Sequence, residues 1–156
     1  MGESDEEEVQ VNDKIRVFFT LSREAIDDYL TKLILARVVA EEDRTFEMTE
    51  GIAKGEVDEF SVAEEYRTFE MGKYMGGRGL NKIQILQKAS EVDDDLQAIK
   101  NLQSDIDAVR EVRNKCVHGL NPPTNWEENL RPQATTAVEV VDELYELLKA
   151  SESFNC

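Results

Sequence analysis

Apolar residues recur along this chain at intervals of three and four, the period of amphipathic helices. Ile15, Phe18, Phe19, Ile26, Tyr29, Leu30, Leu33, Ala36 and Ala40 fall on one side of a long first helix, for which Asn12 or Asp13 is a suitable cap. Leu21, Leu35 and Val38 lie partly off that stripe. A helix with more apolar surface than one neighbour covers has a second contact, inside the domain or on another subunit. A short helix from Leu80 to Ala89 turns Ile83 and Leu86 inward. From Asp94 or Asp95, the series Leu96, Ile99, Leu102, Ile106, Val109, Val112, Cys116 and Val117 marks the most regular helix of the second half. Gly119 and the Asn121-Pro122-Pro123 run end it. Trp126 reads as a lid on the core edge. Pro132 suits the first turn of a last helix, with the stripe Ala137, Val140, Val141, Leu144, Leu147 and Leu148. The expected fold is all-α, an up-and-down bundle of four to five helices with an irregular insertion after the first helix.

That insertion contains a duplication. Val39-Ala40-Glu41-Glu42-Asp43-Arg44-Thr45-Phe46-Glu47-Met48 matches the segment from Val62 to Met71 at nine of ten positions, 23 residues apart. Two copies are too few for a self-supporting solenoid, so a local tandem duplication is the simpler origin. The first copy is expected to extend the first helix and fray towards Gly51 to Gly55. The second, opening on the capping box Ser61-x-x-Glu64, is expected to begin a helix running to about Met75. Phe46, Phe69, Met48 and Met71 read as core. Gly76-Gly77-Arg78-Gly79 reads as an interhelical turn, since no strand precedes it and no Lys-Ser/Thr follows. Arg78, Lys82 and Lys88 form a small basic island and a candidate RNA contact.

Composition narrows the class. At 156 residues and 40% apolar content, one domain with a single core is expected over residues 13–149, between a disordered acidic leader (1–12) and a flexible tail (150–156). A formal charge of −16 repels nucleic acid at long range. Two cysteines, Cys116 and Cys156, make neither a disulfide framework nor a metal-ligand set. No apolar run is long enough to span a bilayer, and a cytoplasmic protein is expected.

The chemistry concentrates at the end of the third stripe. His118 is the only histidine, and it stands in Arg113-Asn114-x-x-x-His118-Gly119. That pattern, at a helix C-terminus with one further helix to follow, resembles the Arg-x4-6-His signature of the HEPN superfamily, all-α domains many of which are metal-independent RNases. The resemblance covers about Asp13 to Lys149. It implies RNA cleavage without metal or other cofactor, the ribose 2′-OH attacking the adjacent phosphate to leave a cyclic phosphate and a 5′-OH end. His118 would then be the acid/base, and Arg113 the donor to the anionic transition state. Asn114 would orient the imidazole or a phosphate oxygen, with Arg110 and Lys115 as phosphate positioners.

In an unbroken helix five positions are a rotation of about 140°, so Arg113 and His118 do not share a face. Arg113 instead continues the seam of Ile106 and Val109, an odd place for a charge. Either the helix unwinds before Gly119, or a two-fold partner brings a second copy alongside. The resemblance implies the second arrangement, a homodimer with a composite site. It also implies a toxin or defence role, with a nucleotidyltransferase-type antitoxin as a partner. The alternative is a non-catalytic dimerisation or adaptor module that binds a protein or nucleotide, in which Arg and His merely complement the helix dipole.

Overall fold

A computed structural model describes the backbone of residues 2–54, 62–66, 79–117 and 130–151, and the side chains of 13–52, 62–66, 82–115 and 130–151. These residues are helical, with one isolated antiparallel bridge between Val39 and Val62. Five α-helices are described: α1 (Gly2–Arg37), α2 (Phe46–Lys54), α3 (Gly79–Ala89), α4 (Gln103–Val117) and α5 (Arg131–Ala150). Three 3-10 segments link them, at Glu41–Asp43, Glu64–Tyr66 and Asp94–Asn101. No described helix is long and apolar enough to cross a membrane.

The all-α expectation holds, and α1 is the hub: it packs on α3, α4 and α5 and also touches α2. Phe19, Ile26, Leu30, Leu33 and Ile34 bury its inner stripe. Two hydroxyls on the buried side, Ser22 and Thr31, satisfy themselves by donating to the carbonyls of Phe18 and Asp27, one turn back. The start of α1 differs from expectation. Its backbone is helical from Gly2, so neither Asn12 nor Asp13 begins it. Glutamate is a fair helix former, and acidic residues near a helix N-terminus complement its dipole, which accounts for the extension.

The insertion departs further. α1 stops at Arg37, and the β-branched pair Val38-Val39 turns the chain out of the helix instead of prolonging it. The Arg44 guanidinium reaches back to donate to the carbonyls of Ala36 and Val39, both at 3.1 Å, closing the C-terminus of α1. Thr45 accepts from the Met48 amide and starts α2 as a separate helix. In the second copy Val62 pairs with Val39, Ala63 donates its amide to the Val38 carbonyl at 2.8 Å, and Glu64–Tyr66 repeats the 3-10 turn of Glu41–Asp43. The helix expected from Ser61 therefore does not begin there. Residues 67–78, with Phe69, Met71 and Arg78, lie outside the described residues. Met48 is core as expected, but Phe46 is 77% exposed.

The motif helix also begins later than its stripe. Asp94–Asn101 is 3-10, with Asp93 accepting from the Asp95 amide at its start, and α4 follows from Gln103. Leu96, Ile99 and Leu102 are spaced by three, so they stay aligned in a three-residue turn, and all are buried. Arg37 ties this segment to the end of α1: its Nη2 donates to Asp95 at 2.7 Å, and its Nε lies 3.4 Å from Asp93. Tyr66 joins the cluster by donating to Asp93 at 2.8 Å. At the far end, Pro132 occupies the first turn of α5, where Ala137, Val140 and Leu144 are buried with Val141, Leu147 and Leu148 beside them.

Candidate functional site

The C-terminal half of α4 is anchored by Val109 and Val112, both buried. That fixes the rotation of the helix and places Arg110, Arg113 and Asn114 at its half-buried margins. Lys115 faces outward and pairs with Glu111 at 3.4 Å, an exposed i,i+4 contact that adds little stability.

Arg113 is the distinctive member. Its Nη1 donates to the Asn114 side-chain oxygen at 3.0 Å. Its Nε is buried and has no hydrogen-bond partner among the described residues. One edge of the guanidinium is thus held by its neighbour, while the Nε–Nη2 edge, the one that matches two oxygens of an oxyanion, keeps an unused donor. A buried donor without a partner costs roughly 1–3 kcal/mol, which marks this guanidinium as an energetically unusual group.

His118 directly follows the last described residue of α4 and lies outside the described residues, as do Arg78 and Trp126. The described side chains therefore bring together Arg113 and Asn114, and place Arg110 one turn earlier on the same helix.

The two described members of the basic island, Lys82 and Lys88, are each paired with a carboxylate. Lys82 is buried, and its ammonium donates to both carboxylate oxygens of Asp27 on α1 at 3.0 Å. Lys88 is exposed and pairs with Glu91 at 3.1 Å. Lys82 lies one turn before Ile85 and Leu86 and two before Ala89, on the apolar stripe of α3, and that position carries it inward.

Arg110 instead belongs to a trough between α1 and α4, lined by Arg23, Ile26, Asp27, Leu30, Ile106, Asp107 and Val109. Sequence reasoning missed Arg23. The signal was present: Phe19, Arg23, Ile26 and Leu30 share one helical stripe, so a cation interrupts an apolar row. Among the described residues no group of three His, Cys, Asp or Glu side chains is arranged to hold a metal ion. No family model, curated protein or solved structure matches the chain.

Proposed function

We propose that this protein is a metal-independent endoribonuclease of the HEPN type, working as a homodimer whose two motif helices share one cleft. The observation that carries the reading is the divided guanidinium of Arg113, with Nη1 committed to Asn114 and a buried Nε that has no partner among the described residues. A phosphodiester passing to a pentacoordinate transition state gains negative charge on its non-bridging oxygens. A preorganised bidentate donor stabilises that charge more than it stabilises the ground state.

His118 accepts the proton of the ribose 2′-OH as O2′ bonds to phosphorus. The bond from phosphorus to the 5′ oxygen then breaks, and that oxygen takes a proton from an imidazolium, either the same His118 or that of the second protomer. The products are a 2′,3′-cyclic phosphate and a 5′-OH end. DNA lacks the nucleophile and is not cut by this route. A toxin or defence effector, restrained by a nucleotidyltransferase-type partner, is the biological setting that fits this activity.

The test is incubation of single-stranded RNA in EDTA with the protein and with its Arg113→Ala and His118→Ala variants. Cleavage by the parent to cyclic-phosphate ends, and its loss in both folded variants, is the expected result. Equal inactivity of all three folded proteins would sink the nuclease and leave an adaptor module. That second reading draws on the exposed apolar side chains of Phe46, Leu21, Val17, Val138 and Tyr145, which suit a protein partner.

A further inference from the structure

The trough between α1 and α4 has a floor and two unengaged cations. Ile26, Leu30, Ile106 and Val109 are buried and form an apolar floor. Arg23 rises on the α1 side and Arg110 on the α4 side, and among the described residues neither makes an ion pair. Of the two carboxylates, Asp27 is already neutralised by the buried Lys82, so only Asp107 opposes an anion. Counting Lys82, three cations meet two carboxylates here, in a chain whose net charge is −16. The trough itself holds only about 20 Å³, room for about one water. A ligand therefore lies across the trough and is not swallowed by it.

Arg113 continues the same side of α4, three residues beyond Arg110 and seven beyond Ile106. Its position is roughly 4.5 Å along the helix axis from Arg110. An apolar floor between two arginines suits a nucleobase laid across it, and guanidiniums pair with the phosphates on either side of it. We infer that this trough is a subsite for a nucleotide of single-stranded RNA adjoining the phosphate that Arg113 holds. The inference rests on the nuclease reading for its position along the strand, but not for its binding chemistry.

The experiment measures binding of a fluorescein-labelled oligouridine 12-mer by anisotropy in EDTA, in a His118→Ala background that prevents turnover. Arg23→Ala and Arg110→Ala are each expected to weaken binding at least about fivefold. Where the arginine meets phosphate, the slope of log K against log salt rises by about 0.7. Arg23→Lys and Arg110→Lys restore the salt slope but not the full affinity, because an ammonium cannot stack. Asp107→Asn binds more tightly. Unchanged melting temperatures exclude a folding defect as the cause of weaker binding.

Binding by both alanine variants equal to the background protein would overturn the subsite and leave the nuclease reading standing. Competition by uridine 5′-monophosphate as effective as that by the 12-mer would also overturn it, since the site would then serve a free nucleotide. Arginine-dependent RNA binding by a parent protein that never cleaves would uphold the trough and end the nuclease reading. Absence of any RNA binding would overturn the trough.

Discussion

Lys82 and Asp27 form an unequal pair, with 3% of the lysine side chain exposed against 36% of the aspartate. Asp27→Asn would strand a buried ammonium, whereas Lys82→Met would leave a carboxylate that water already reaches. Removing one partner of a buried pair costs about 3–5 kcal/mol at full burial, so Asp27→Asn should approach that range and Lys82→Met fall well short. Urea-denaturation midpoints check the order; a lower midpoint for Lys82→Met than for Asp27→Asn would contradict it. The proposed nuclease carries its own expectation. Arg113→Ala should lower kcat about 10²- to 10³-fold, and Arg113→Lys should recover little of it, because a single ammonium lacks the two-pronged edge. Steady-state cleavage assays decide this. Arg23, Arg37, Lys82 and Arg113 all sit on apolar stripes. That anomaly is visible in the sequence, but its resolution is not. Lys82 and Arg37 are met by carboxylates distant in sequence, and Arg113 by the amide beside it. Spacing along one helix carries no information about which residue of another helix arrives opposite.

Among the elements, the buried stripes of α1, α3 and α5 were legible because burial follows a period that the sequence displays directly. The insertion was not, since its structure depends on contacts between segments. Arg44 closes α1 from outside, Val62 meets Val39, and Tyr66 reaches Asp93, all through pairings that no local pattern announces. The two copies differ at one aligned position, Asp43 against Tyr66, and that tyrosine makes the link to Asp93. Burial, and then the hydrogen bond to Asp93, push the Tyr66 hydroxyl well above the ordinary tyrosine value of about 10. The folded state thus favours the protonated phenol. Its contribution is complete below about pH 10 and is lost as pH rises from there through the higher folded value. Tyr66→Phe should cost about 0.5–1.5 kcal/mol at pH 7, and its stability should fall less steeply above pH 10 than the parent's. Thermal melts across that range read both effects; parallel pH profiles would show that the hydroxyl does not set the slope.

For the whole molecule, charge governs encounter. A net charge of −16 opposes an approaching RNA strand beyond contact distance, while the proposed contacts of Arg23, Arg110 and Arg113 would act only at close range. Salt shortens the reach of that repulsion, with a Debye length of about 30 Å at 0.01 M falling to about 10 Å at 0.1 M. The association rate with RNA should therefore rise with salt over this interval, opposite to a basic nucleic-acid-binding protein. Stopped-flow mixing checks the sign, and a rate that falls throughout would contradict it. The Val39–Val62 bridge carries a consequence of another kind, because it joins the corresponding residues of two near-identical segments. Each copy is the other's complement. A shortened chain that kept a single copy would have no complement within itself, and the one available would sit on a sister molecule.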